Sequence, residues 1–150
     1  MSICFFIGHR DAPASILPKL QDAVERLIAE YGVTEFVVGR FGCFDRLAAQ
    51  AVREAKQRHP EIRLTLLLPY YDPTKPLNLP SGFDGSLYPD ELECIPKRVA
   101  IIRANQYMVS HSDYLIAYDA GRIGNTRKLL EYALRREIKG LIHVENLARI

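Results

Sequence analysis

Short apolar runs alternate with longer amphipathic segments along most of the chain, which is the pattern of an α/β fold. The apolar runs lie at residues 3–7, 36–38, 62–68, 114–118 and 141–144. The amphipathic segments lie at residues 17–31, from 45 onward, at 98–111 and from 125 onward. Because connections of this length return the chain to the same edge of a sheet, the strands should pair in parallel. The pattern predicts one three-layer domain over residues 1–150, with about five mostly parallel strands and helices on both faces.

Local signals indicate where the first helix begins and ends. Ser15 is its expected N-cap, Pro18 falls in the first turn, where a missing N–H does no harm, and Gly32 should stop it. The third helix has a less regular apolar face than the others.

Residues 69–96 interrupt the alternation with six prolines and no sustained apolar period. A connection of this length is usually a functional loop or a disordered one. Its rings at Tyr70, Tyr71, Phe83 and Tyr88 suit a lid over a bound base, and a surface flap is the alternative interpretation.

Composition excludes several classes of protein. The formal charge of +2, with basic residues interleaved among acids, is atypical of a duplex-binding protein. The three cysteines are far apart and show no zinc-ligand spacing, so neither a metal nor another cofactor is predicted. No apolar run reaches the ~18 residues of a membrane span, and a strand starting at residue 3 leaves no room for a signal peptide. A cytoplasmic protein is expected.

The ends of three predicted strands combine glycine with arginine. Ligands of open parallel sheets bind beyond the carboxyl ends of the strands, and glycine-rich turns into helices suit anions. We therefore predict a phosphate-binding pocket at this edge. Its candidate ligand-binding residues are Gly8, His9, Arg10, Gly39, Arg40, Gly42, Asp45, Asp119, Gly121, Gly124, Asn125 and Thr126.

Four side chains near these loops have two interpretations each. His9 fits a phosphate donor or acid–base group, or a brace for its loop. Asp45 fits an N-cap or a ligand for ribose hydroxyls, and Glu131 fits a sugar contact or a solvated glutamate. Cys43 lies at a helix start, where thiols can be activated, but an unreactive loop residue is the simpler interpretation because no base is paired with it.

Five segments, in order, resemble the YpsA-like branch of the SLOG superfamily, which is named for the Smf/DprA and LOG proteins. They are residues 6–10, 39–49, 103–108, 112–116 and 124–126. The resemblance covers nearly the whole chain, and residues 69–96 match least. It implies a Rossmann-like domain that binds nucleotides or nucleotide-derived ligands. It also implies a homo-oligomer, most simply a dimer.

Relatives in this superfamily imply different activities. LOG-type enzymes hydrolyse the N-glycosidic bond of nucleoside 5′-monophosphates with a PGGxGTxxE motif. Residues 124–126 resemble its phosphate part, but Leu129 stands where the glutamate is expected, and Glu131 is displaced by two positions. We therefore expect a nucleotide-binding or sensing domain. The alternatives are an N-glycosidic hydrolase or transferase using Glu131 or Asp45, and a DprA-like protein that binds single-stranded DNA.

Overall fold

The computed structural model describes residues 2–148 and contains a single six-stranded, all-parallel sheet within them. The strands are β1 (Ile3–Gly8), β2 (Glu35–Val38), β3 (Arg63–Leu67), β4 (Gly85–Leu87), β5 (Tyr114–Tyr118) and β6 (His143–Asn146). Their order across the sheet is β4-β3-β2-β1-β5-β6. The chain therefore runs outward from β1 to β4 and then crosses back to start again beside β1. That reversal between β1 and β5 is the switch point at which such sheets bind ligands.

Four helices cover the two faces of the sheet. They are α1 (Leu17–Tyr31), α2 (Cys43–Arg58), α3 (Lys97–His111) and α4 (Asn125–Ile138). Side chains of β1 alternate between two cores, because successive strand residues point to opposite faces. Cys4 and Phe6 pack with α1 and α2, whereas Phe5 and Ile7 pack with α3 and α4. The predicted α/β class, with a parallel sheet between two helical layers, is confirmed and matches a Rossmann-like fold.

The number of strands differs from the prediction because β4 lies inside the proline-rich segment. Gly85–Leu87 pairs in parallel with β3. The carboxylate of Asp84 fixes its start, accepting the Leu64 N–H at 2.8 Å and pairing with the Lys56 ammonium at 2.5 Å. Residues 71–82 before it are all exposed. The long loop is thus two loops on either side of a short edge strand.

The predicted start of α1 was wrong. Ser15 lies in a short 3-10 turn, Ala14–Ile16, that leads directly into the helix, so Ile16 occupies the N-cap position without a side-chain cap. Gly32 ends α1 with a φ of 65°, as its position predicted. The second helix begins at Cys43, two residues before its predicted start.

Within residues 2–148, no helix combines the length and apolar character that crossing a membrane requires.

Candidate functional site

A cavity of about 580 Å³ opens at the carboxyl edge of the sheet, at the switch point between β1 and β5. Its floor is formed by the sheet and its walls by α3, α4 and the loops that follow β1, β2 and β5. This volume falls in the range of sites for small ligands.

Eight of the twelve predicted ligand-binding residues line this cavity, and four do not. Those in the lining are Gly8, His9, Arg10, Gly39, Asp45, Gly124, Asn125 and Thr126. Arg40, Gly42, Asp119 and Gly121 lie outside it. Glu131, one of the two proposed catalytic carboxylates, is exposed on α4 and is also absent from the lining.

The loops after β1 and β2 are held together by backbone contacts. The Cys43 N–H donates to the Arg10 carbonyl at 2.7 Å. Gly42 has a φ of 118°, and a Cβ there would lie 2.6 Å from the Arg10 Cα, so only glycine fits. Gly42 therefore positions Arg10 from outside the cavity.

His9 braces the loop that follows β5. It is 8% exposed, and its Nε2 accepts the backbone N–H of Ala120 at 3.0 Å. A ring nitrogen that accepts a hydrogen bond carries no proton, so Nδ1 is the protonated nitrogen in this arrangement. The Asp119 carboxylate lies 3.5 Å from the same Nε2 and accepts the N–H of Gly121 at 3.0 Å. Of the two interpretations of His9, the bracing contact is the one seen.

Asp45 faces the cavity from the first turn of α2, and its interpretation as the N-cap was wrong, because Gly42 occupies that position and no side chain caps the helix. It is the third residue of the helix, and its carboxylate accepts the Phe41 N–H at 2.9 Å. Gly39 leaves room for it, because a Cβ there would lie 2.9 Å from the carboxylate oxygen. Burial raises the pKa of Asp45 to about 6, although the Phe41 hydrogen bond and the charge of Arg10 act in the opposite direction.

The first turn of α4 supplies amide donors to the cavity. Gly124 precedes the helix with a φ of 154°, a backbone conformation that favours glycine. The amides of the first helical turn have no acceptor within the helix, and the intrahelical pattern starts with Lys128 N–H to Gly124 O at 3.1 Å. The Thr126 hydroxyl lies 3.4 Å from the Gly8 carbonyl, so the helix start sits against the end of β1.

The cationic side chains of the lining fall into two groups. Arg122 holds both oxygens of Asp11 at 2.7 and 2.9 Å, and the pKa of Asp11 is lowered mainly by this hydrogen bonding. Arg127 donates to the Gly121 carbonyl at 3.2 Å. Within residues 2–148, the side chains of Arg10 and Lys128 make no hydrogen bond or ion pair. Arg10 and Lys128 are therefore available to an anion, whereas Arg122 and Arg127 are already engaged.

Helix α3 contributes to the cavity wall, although none of its residues was predicted to be part of the site. Its residues form one wall, and Tyr132 of α4 closes that side of the cavity. The α3 residues in the lining are Ile101, Ile102, Ala104, Asn105 and Gln106. The less regular apolar pattern of this helix was the available signal, because a helix that faces a cavity lacks a continuous apolar stripe.

The aromatic residues of the proline-rich segment do not cover the cavity. Only Pro69 of that segment reaches the lining. Phe83 packs against the α1–α2 core and Tyr88 against the α3–α4 core. The Tyr71 ring lies 6.1 Å from that of Tyr88, and the Lys97 ammonium lies 4.9 Å from the Tyr70 ring. This arrangement favours the surface-flap interpretation.

Cys43 lies outside the lining, with the Arg46 guanidinium 3.0 Å from its sulfur. Across the described part of the chain, no group of three metal-ligating side chains comes together.

The fold and this cavity define the class of the protein: a Rossmann-like α/β domain with a ligand-sized site at its switch point. No family model and no curated protein matches the chain.

Proposed function

We propose that this protein binds a nucleotide or another nucleoside-phosphate-derived ligand at the carboxyl edge of its sheet, as a binding or sensing domain. The observation that carries the proposal is that one cavity is lined by the first turn of α4 and by the side chains of Arg10 and Lys128, which are unpaired within residues 2–148. Membership of the YpsA-like branch of the SLOG superfamily belongs to the same proposal.

Positive potential reaches the cavity from two sides: from the start of α4 with Lys128, and from Arg10, which lies against Gly42 on the side of Asp45. Unbonded amides and the macrodipole of a 14-residue helix favour negative charge at its N-terminus. Arg10 and Lys128 add two full charges that no carboxylate of the described chain neutralises by contact. Thr126 adds a hydroxyl to the same lining; it donates to the Gly8 carbonyl at 3.4 Å here and can rotate to donate to a ligand instead. A phosphate group would bind these donors.

Asp45 suits the sugar of the same ligand. It lies on the β2 side of the cavity, across β1 from the start of α4. With its pKa raised to about 6, the carboxyl group mostly accepts hydrogen bonds at neutral pH and can also donate one as the pH falls to about 6. A ribose hydroxyl is a natural partner for such a group.

A thermal-shift screen tests the proposal directly. The purified protein would be screened with nucleoside mono-, di- and triphosphates, nucleotide sugars, NAD and cyclic nucleotides. We expect a ligand that raises the melting temperature of the wild type and of Arg40→Ala, but not of Arg10→Ala or Thr126→Ala. Arg40 is the matched control, since it is exposed on the neighbouring loop and lies outside the lining. No shift with any phosphate compound would refute the proposal.

An N-glycosidic hydrolase or transferase is the second candidate, and Asp45 is the observation that favours it. A cavity carboxyl group with a raised pKa fits a general acid. Glu131 is exposed outside the lining, so this candidate depends on Asp45. Chromatography of the incubated ligand separates the two functions. Recovery of intact ligand supports binding alone, whereas free base that disappears in Asp45→Asn supports the enzyme.

Self-association remains a prediction from the resemblance. Light scattering at working concentration should give the mass of a dimer, and a monomeric mass would contradict it.

A further inference from the structure

The inner half of the cavity differs in chemistry from its outer edge. It lies between the sheet and α3, and the side chains around it are largely apolar. They are Phe5, Ile7, Leu67, Ile101, Ala104 and Leu129. We call this space the α3 chamber. Most of these side chains are buried core residues, and protein cores are normally close-packed. Phe5, Leu67 and Ala104 are 0–2% exposed and form the closed back of the chamber, whereas Ile101 is partly exposed, so an apolar group of a ligand would pack against the Ile101 side.

The entrance to the cavity is also partly apolar. Ile123, in the loop that leads into α4, is 94% exposed and lines the cavity. Ile102 of α3 lies in the same lining and is 37% exposed. Large apolar side chains this exposed become buried when a flat apolar group packs against them. Both side chains line the same cavity as the α3 chamber, so its lining is apolar at the exposed edge as well as in the interior.

Asn105 supplies a polar group to this otherwise apolar side. It is partly buried on α3 and lies in the lining. Among residues 2–148 its side-chain amide has no hydrogen-bond partner, unlike Tyr132 opposite, whose hydroxyl bonds Ser110 at 2.6 Å. A primary amide offers two donors and an acceptor in one plane. This is the arrangement with which asparagine contacts the edge of a base.

We propose that the α3 chamber is the subsite for the base of the ligand, and that Asn105 reads the hydrogen-bonding edge of that base. The inference rests on the proposed function, because a base subsite requires a nucleotide-type ligand whose phosphate binds elsewhere in the same cavity. An aromatic heterocycle satisfies both observations, since its faces pack on the apolar walls and its edge bonds the amide. A purely aliphatic chain would leave the Asn105 amide without a partner.

Calorimetric titration separates the base from the rest of the ligand. The probes are the 5′-monophosphates of adenosine, guanosine, cytidine and uridine, with ribose 5-phosphate as the matched compound that lacks a base. We expect at least one nucleotide to bind about tenfold or more tightly than ribose 5-phosphate, in keeping with the usual contribution of base stacking and burial. Equal affinity of all five compounds would overturn the inference.

Two variants test the position of the base. Ile101→Ala removes apolar atoms from the partly exposed wall of the α3 chamber and should reduce the advantage of the preferred nucleotide while leaving ribose 5-phosphate binding within about twofold. Asn105→Ala should reduce discrimination among the four bases, and it tests the inference even if Ile101→Ala fails to fold. Val99→Ala is the control, because Val99 is exposed on the same helix and lies outside the lining. Unchanged base selectivity in Asn105→Ala, or an unchanged nucleotide advantage in a folded Ile101→Ala protein, would overturn it.

The same titrations distinguish the failure of each proposal. If neither ribose 5-phosphate nor any nucleotide binds, the phosphate site itself is refuted and the base subsite falls with it. If ribose 5-phosphate binds as tightly as the nucleotides, the phosphate site stands and the base subsite alone is refuted.

Discussion

Replacing Asp45 with asparagine should make the protein more stable at neutral pH, because the native carboxylate is ionised in a place that disfavours charge. Burial raises its pKa from 3.8 to about 6. Since one pKa unit corresponds to about 1.4 kcal/mol, the ionised group lowers the free energy of unfolding by about 3 kcal/mol above pH 6. Asparagine keeps an oxygen that can accept the Phe41 N–H, so this hydrogen bond at the start of α2 is retained.

The stability of the native protein should depend on pH because Asp45 has different pKa values in the folded and unfolded states. The folded state holds the Asp45 proton more tightly than the unfolded state does, so the native protein loses stability as pH rises from about 4 to about 6. Above that window both states are deprotonated and the penalty is constant. The advantage of Asp45→Asn should therefore be about 3 kcal/mol at about pH 7.5 and less than about 1 kcal/mol at about pH 4.

Urea denaturation followed by circular dichroism measures the effect at both pH values. Asp22→Asn is the control, because that carboxylate is exposed on α1, and its substitution should change stability little at either pH. A gain in Asp45→Asn that is the same at both pH values would refute the electrostatic reasoning. A loss of stability at neutral pH would refute it as well, and would assign Asp45 a mainly structural role.

Three further substitutions test other parts of the structure. Gly8→Ala should lower the free energy of unfolding by about 1–3 kcal/mol, because its Cβ would overlap the Phe44 ring; an unchanged urea midpoint would contradict this. Asp11→Asn should release Arg122 and tighten binding of a phosphate-bearing ligand several-fold, and weaker binding by calorimetry would show that the ion pair supports the site. Asp84→Ala should speed hydrogen exchange in β4, and unchanged exchange would mean that strand pairing alone holds it.

The five longer strands and all four helices could be predicted because local sequence determines them, although β6 begins at His143, two residues after its predicted start. Buried parallel strands read as apolar runs, and the helices carry recognisable spacing and end signals. The start of α1 was missed because its cap is not a side chain. The 3-10 turn Ala14–Ile16 continues directly into the helix. Ser15, a residue type typical of N-caps, lies inside this turn, and its side chain does not cap α1.

Strand β4 could not be predicted because tertiary contacts form it. Gly85–Leu87 is three residues long and has little apolar character. It is a strand because β3 offers a free edge and because Asp84 is held by Lys56 of α2 and the backbone of Leu64. The segment that looks continuous in the sequence is divided by partners that lie 20 and 28 residues away.

The composition of the site was only partly predictable for the same reason. Glycines and charged residues at strand ends identify the edge of the sheet where a ligand can bind. They do not reveal which side chains are already engaged by other parts of the protein. Arg122 is held by Asp11, and His9 is held by the Ala120 amide. Only three-dimensional contacts distinguish these residues from Arg10, which has the same kind of position in the sequence.

The site is largely preformed, because Arg122 and His9 are already held by other parts of the protein. The engaged residues fix the loops after β1, β2 and β5 relative to one another before any ligand arrives. A ligand then meets a preformed frame and orders only a few side chains, chiefly Arg10, Asn105 and Lys128, so little of its binding energy is lost to ordering the protein. The surface of α3 fits this view, because Ile101 and Asn105 present an apolar wall and a polar group to the cavity that a base would fill.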